Sequence, residues 1–229
     1  MKTIGVIAGM SWQSSIEYYR LINEGVRDRL GAHSNAKSLM VSVNFEDIEP
    51  RMREGRWDEI GEILACSARQ LEAGGADFIL LCTNTMHKRA EDVEAAVTIP
   101  FVHIVDVTAE AIRVAGFNRV GLLATRFTME QPFYRDRFAR HGIELLVPCE
   151  DDRNRVHAAI FDELVHGVFA EATRVEFLRI IEGLAAEGAE GVILGCTEIP
   201  LLIRPEHSSL PVFDTTRIHA ARAVEMAMA

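Results

Sequence analysis

Eight short aliphatic or β-branched runs punctuate the chain, at residues 4–8, 39–45, 78–82, 101–105, 118–125, 144–147, 191–194 and 210–214, and read as buried strands. Segments of helical period separate most of them: 14–30, 58–73, 88–96, 108–115, 131–141, 156–169, 174–187 and 215–228. Glycine or polar turns stand at the strand ends, as in Gly9-Met10-Ser11 and Gly74-Gly75. Two polar stretches break the alternation. Residues 46–57, with Pro50 and Gly55, read as a loop with at most a short helix, and residues 149–155 as a polar connection. Regular alternation of β and α predicts parallel sheets with helices on their faces.

The pattern also repeats. Gly75-Ala-Asp-Phe-Ile-Leu-Leu-Cys-Thr-Asn aligns without a gap on Gly188-Ala-Glu-Gly-Val-Ile-Leu-Gly-Cys-Thr, which sets Thr83 opposite Cys196, 113 positions on. Residues 118–125 likewise repeat residues 2–9, with Thr125 and Thr128 in the turn that corresponds to Gly9-Met10-Ser11. The expectation is two pseudo-symmetric parallel-sheet α/β domains that arose by internal duplication: residues 1–98 with 209–229, and residues 99–208. A site shared by such domains would carry one motif turn from each, Thr83 on one side and Cys196 on the other.

Composition narrows the function. Net charge is −10, and no Lys/Arg cluster or basic-aromatic interleaving is present, which argues against a nucleic-acid partner. No run approaches the ~18 apolar residues of a membrane span, and the apolar run at residues 4–8 ends in a glycine turn as a first strand would, so a cytoplasmic protein is expected. Cysteines at 66, 82, 149 and 196 form no Cys-x-x-Cys pair and no Cys/His ligand spacing, which argues against a metal site or a disulfide framework. Gly5-x-x-x-Gly9 lacks the dinucleotide spacing and no phosphate loop exists, so no cofactor is expected.

Individual residues divide between chemistry and packing. Cys196 follows the glycine that ends its strand, at or near a helix N-terminus whose dipole would favour a thiolate, and function is the better reading. Cys82 lies one position earlier in register, inside the apolar strand, and reads as packing; Cys66 reads as a small apolar group in a helix core. Glu198 could orient Cys196 or cap the helix. Arg51 and Arg53 are candidates for an anionic ligand, although Glu46, Asp47, Glu49 and Glu54 make a solvated charged surface the better reading for either alone. His87, His103 and His219 read as structural, His87 as a cap or hydrogen-bond partner.

Asn84-Thr85 after the first motif strand, Gly195-Cys196-Thr197-Glu198 after the second, Gly9-Met10-Ser11, and Thr125 with Thr128 together resemble the cofactor-independent aspartate/glutamate racemase superfamily over nearly the whole chain. That resemblance implies two α/β domains with the active site in the cleft between them. It implies opposed acid-base groups on the two faces of an amino-acid α-carbon, and no pyridoxal phosphate. It further implies a homodimer, an acidic or polar amino acid as substrate, and substrate contacts from Met10, Ser11, Asn84, Thr85, Thr125, Thr128, Thr197 and Glu198. Two departures matter. Where the family reads Cys-Asn-Thr, this chain reads Thr83-Asn84-Thr85, so Thr83 and Cys196 are the expected catalytic pair, with a bias toward L substrates. The Asp-Ser of glutamate racemases is also missing from the first turn, which places the chain nearer the aspartate and broad-specificity branches.

Three functions remain open on the sequence. The leading one is an amino-acid racemase. The others are a single-cysteine decarboxylase or cis-trans isomerase of a dicarboxylic acid, and a non-catalytic amino-acid binding protein.

Overall fold

The computed structural model describes residues 1–31 and 33–229. They form two compact units, residues 1–104 with 219–229, and residues 105–218. The first contains β1 (Ile4–Ala8), α1 (Trp12–Leu30), β2 (Ser38–Ser42), α2 (Phe45–Arg53), α3 (Trp57–Ala73), β3 (Phe78–Leu81), a 3-10 turn (Thr85–Arg89), α4 (Ala90–Ala96) and β4 (Phe101–Val102). The second opens within α5 (Ile104–Val114) and continues through β5 (Arg119–Ala124), α6 (Arg126–Glu130), α7 (Pro132–Arg140), β6 (Glu144–Leu146) and α8 (Glu150–Asp162). A 3-10 turn (Leu164–His166), α9 (Glu171–Ala186), β7 (Gly191–Gly195), α10 (Ile199–Leu202), a 3-10 turn (Pro205–His207) and β8 (Val212–Asp214) complete it. The closing helix α11 (Thr215–Met228) begins in the second unit and returns to the first.

Each unit holds one four-stranded, all-parallel sheet, ordered β2-β1-β3-β4 in the first and β6-β5-β7-β8 in the second. The shared order is the duplication seen in three dimensions, and it extends to single residues. Asp77 accepts a hydrogen bond from the Thr3 amide at 2.6 Å, and Glu190, 113 positions on, accepts from the Asn118 and Arg119 amides at 2.9 Å. A carboxylate thus satisfies the first amides of each unit's central strand, where the ladder has no partner for them.

Topology moves the unit borders from 98/99 and 208/209, where the sequence pattern put them, to 104/105 and 218/219. The reason is pairing: β4 hydrogen-bonds to β3 through Ile79 and Phe101, and β8 to β7 through Ile193 and Phe213, so each edge strand closes the sheet that precedes it in the chain.

The central strands carry the cores. Every residue of β1, β3 and β7 is buried. Helix α3 covers its sheet with Ile60, Leu64, Ala68 and Leu71, all at most 1% exposed, at the three- and four-residue spacing that makes one helical stripe. Burying each such Leu or Ile is worth roughly 1.5–3 kcal/mol.

Three expectations change. Residues 45–53 are helical because Asn44 caps the first turn by accepting from the Glu46 amide at 3.3 Å, which also ends β2 at Ser42. Helix α8 starts at Glu150, with Glu150, Asp151 and Asp152 at the positive end of its dipole, so the polar connection is its first turn. Cys66 is exposed: it lies off the stripe that α3 buries.

Candidate active site

In a parallel sheet all strands end at one edge, and the turns that leave that edge are where α/β folds assemble their sites. In the first unit β1 and β3 are neighbours, so Gly9-Met10-Ser11 and Thr83-Asn84-Thr85 leave the same edge side by side. In the second unit β5 and β7 are neighbours, which brings Thr125 and Thr128 to the edge that carries Cys196, Thr197 and Glu198.

The first turn is shaped by Gly9. Its φ of +95° belongs to the left-handed region, and a Cβ there would lie 2.0 Å from the Val43 carbonyl oxygen, so only glycine fits. The Gly9 amide donates to Ser15 Oγ at 2.8 Å, and Ser15 Oγ donates to the Ser11 carbonyl at 2.9 Å. Ser11 also caps α1, its Oγ accepting from the Ser14 amide at 3.4 Å, and Met10 is buried.

The second turn presents Thr83 half-buried between a buried Cys82 and a buried Asn84 and Thr85. Cys82 is fully enclosed, its amide donating to the Ile7 carbonyl at 2.9 Å, and burial pushes its thiol well above the usual range. Packing, the reading given to Cys82 from the sequence, agrees with this placement. The Thr83 carbonyl accepts from His87 Nδ1 at 2.7 Å.

The two arginines fare differently. Arg51, half-buried on α2, pairs with Glu59 at 3.0 Å and donates to the Asp47 carbonyl. Arg53 is exposed at the end of α2. Lys88 beside the Thr83 turn, which sequence reasoning passed over, packs its ammonium 3.9 Å from the Trp57 ring centroid.

In the second unit Cys196 is half-buried, and its Sγ donates to Glu198 Oε2 at 3.0 Å. Glu198 is 5% exposed and makes no side-chain cap to α10, so of the two roles read for it, orienting the cysteine is the one its geometry matches. Burial and then the Glu198 carboxylate push the Cys196 thiol well above its ordinary range, while the Thr197 and Glu198 amides pull the other way. The expected dipole-stabilised thiolate is therefore corrected. Helix α10 spans four residues and starts three positions after Cys196, too short and too far to outweigh a buried carboxylate. The resting group is a thiol with a proton acceptor at hydrogen-bond distance and two amides placed to receive its sulfur as an anion. Nearby, Thr125 and Thr128 are buried with their hydroxyls 3.3 Å apart.

A sequence profile described as Asp/Glu/Hydantoin racemase matches residues 7–223. The chain belongs to that family. Within it, a Yersinia pestis structure provisionally assigned as an Asp/Glu racemase is 46% identical, covers both chains completely and superposes with a TM-score of 0.95. An aspartate racemase homologue from Pyrococcus horikoshii OT3 is 35% identical over both full chains, with a TM-score of 0.90. A broad-specificity amino-acid racemase of Bacillus subtilis (strain 168) is 24% identical over 99% of this chain and 98% of its own length. Family membership makes this chain an amino-acid racemase by class and accounts for the two four-stranded α/β units.

Proposed function

We propose that this protein racemises an acidic or other polar amino acid without pyridoxal phosphate or metal, Cys196 removing the α-proton of the L form and Thr83 serving the opposite face. The observation that carries the reading is the Cys196 Sγ–H to Glu198 Oε2 hydrogen bond at 3.0 Å. An α-proton is weakly acidic, so its abstraction needs a strong base close to the carbon and fixed donors for the carbanion. Proton transfer from Sγ to Glu198 supplies the thiolate, which the Thr197 and Glu198 amides stabilise. The thiolate then takes the α-proton: the C–H bond breaks, the S–H bond forms, and the electron pair stays on carbon. Thr83, or a water it holds, returns a proton from the other side and is replenished from solvent, while Glu198 gives the proton it took from Sγ up to solvent. An alcohol has no route to a neutral-pH base comparable to that of a thiol, so the D form, whose α-proton faces Thr83, should react slowly.

In this proposal Met10, Ser11, Asn84 and Thr85 with Thr125, Thr128 and Thr197 contact the substrate ammonium and carboxylate. Arg51 and Arg53 remain the candidates for a side-chain carboxylate, Arg53 the more available because Glu59 engages Arg51. A cytoplasmic homodimer is part of the same reading. Among the described residues no helix is long and apolar enough to cross a membrane.

The test is a screen of L- and D-amino acids for α-hydrogen exchange in deuterated buffer, repeated with Cys66, Cys82, Cys149 and Cys196 each changed to serine and after dialysis against chelator and a carbonyl reagent. Exchange should survive dialysis and every substitution except Cys196→Ser. Carbon dioxide release or maleate consumption without exchange would favour the decarboxylase or cis-trans isomerase reading, and ligand binding without turnover the binding-protein reading.

A further inference from the structure

His87 lies in the first unit, 3% exposed, four residues after Thr83, and both of its ring nitrogens meet backbone groups. Nδ1 stands 2.7 Å from the Thr83 carbonyl oxygen, which can only accept, so Nδ1 carries the hydrogen. Nε2 stands 3.2 Å from the Ile104 amide nitrogen, which can only donate, so Nε2 offers its lone pair. One neutral tautomer satisfies both. The rings of His103, Phe101 and His219, with centroids at 4.6, 5.5 and 6.0 Å, enclose the imidazole.

At Thr83 the amide donates to the Leu81 carbonyl at 2.9 Å, while the carbonyl accepts from His87. Both peptide planes that flank the Thr83 α-carbon are thereby tied down. Those planes set φ and ψ, and φ and ψ set the direction in which the Cα–Cβ bond points. The hydroxyl keeps only its rotation about that bond.

We propose that His87 is a positioning residue for Thr83: its Nδ1–H fixes the Thr83 carbonyl and so aims the Thr83 hydroxyl at the face of the substrate that Cys196 does not serve. This rests on the role proposed for Thr83. Loss of the hydrogen bond should damage proton return at that face and leave proton removal by Cys196 in place, because Cys196 is held by β7 and its own amides. A displacement of about 1 Å at a reacting group can cost on the order of 10²-fold in rate.

Two readouts on the same enzyme separate positioning from general damage: exchange of an L substrate, which reports Cys196, and net inversion to D, which needs Thr83 as well. His87→Gln keeps an acceptor for the Ile104 amide and removes the donor to Thr83; His87→Asn keeps a donor near Nδ1 and removes the acceptor. The expected result is about a tenfold or greater loss of inversion in His87→Gln with L exchange within about twofold, and substantial retention of both in His87→Asn. Equal loss of exchange and inversion in His87→Gln, or no loss of inversion, overturns the proposal. Imidazole nitrogen NMR on the unaltered protein is independent of any variant's folding: His87 should show a protonated Nδ1 and an unprotonated Nε2, and the opposite tautomer overturns the proposal. Thr83→Ala tells the two levels apart. If inversion is indifferent to Thr83→Ala, the role of Thr83 falls and this inference with it; if inversion needs Thr83 but not the His87 donor, only the inference falls.

Discussion

At the scale of single residues, the proposed chemistry turns on a carboxylate that works against the acidity of its own thiol. Glu198 raises the Cys196 pKa, yet it is the group placed to take the thiol proton. Glu198→Gln separates these effects. Removal of the charge should shift the pH midpoint of Cys196 alkylation downward while L exchange slows by about 10²–10⁴-fold, the usual loss when a general base is removed. Faster exchange in Glu198→Gln would mean that thiol acidity alone limits the reaction. The register of Cys196 and Thr83 was legible in the sequence because a gapless repeat set them 113 positions apart. The Cys196–Glu198 hydrogen bond was legible only as one of two options, because an i to i+2 contact depends on the dihedrals of a non-helical turn that no periodicity encodes. The buried Cys66 failed as an expectation because cysteine carries little patterning signal: its neighbours Ala65 and Ser67 are buried while it faces out.

At the scale of elements, the strands and most helices were readable, the polar α7 included, whereas α2 and the start of α8 read as irregular chain. Helix α2 buries only Ile48 and Met52 and contains Pro50, and α8 opens on three acids, so neither displays a continuous apolar stripe. The Asn44 cap holds the first turn of α2, and α8 sets its three acids at the positive end of its dipole. The contact between α11 and β4 was likewise invisible, since it joins residues 117 apart: His219 Nε2–H donates to the Val102 carbonyl at 2.8 Å, and Nδ1 accepts from Tyr18 Oη–H at 2.9 Å. Burial holds the His219 pKa down to about 4 from its ordinary 6.5. Between those values the unfolded chain binds a proton that the folded one refuses, so stability falls as pH drops from 6.5 toward 4 and is unaffected by this group above that window. The full effect is about 3 kcal/mol, about 2 of it lost by pH 5. Urea unfolding should show the unaltered protein well ahead of His219→Gln at pH 7 and the gap narrowed at pH 5. A gap that is the same at both pH values would contradict a neutral, buried His219.

At the scale of the whole molecule, duplication explains why two unlike groups occupy equivalent turns: the same strand and turn, used twice, ends in a threonine once and a cysteine once. One surface lies outside that symmetry. Trp12, Ile16 and Tyr19 on α1, at helical spacing, are 64, 56 and 53% exposed and supply apolar area for the proposed homodimer. Sedimentation should find a dimer that Ile16→Glu converts to monomer; a monomeric unaltered protein at micromolar concentration would remove the dimer from this account.

Asymmetry between substrate antipodes is the most direct consequence of the proposed pairing of Cys196 with Thr83. Racemisation of a free amino acid has an equilibrium constant of one, so kcat/KM for net inversion must match in the two directions, and the asymmetry has to appear in exchange. The deciding measurement is therefore α-hydrogen exchange of the L and D antipodes of one substrate in deuterated buffer, by the unaltered enzyme and by Thr83→Cys. Rapid labelling of L, poor labelling of D and slow inversion are expected of the unaltered enzyme, with Thr83→Cys gaining on D and on inversion. Equal labelling of both antipodes by the unaltered enzyme, or no gain on D in Thr83→Cys, would contradict the proposed pairing and assign the face opposite Cys196 to another group.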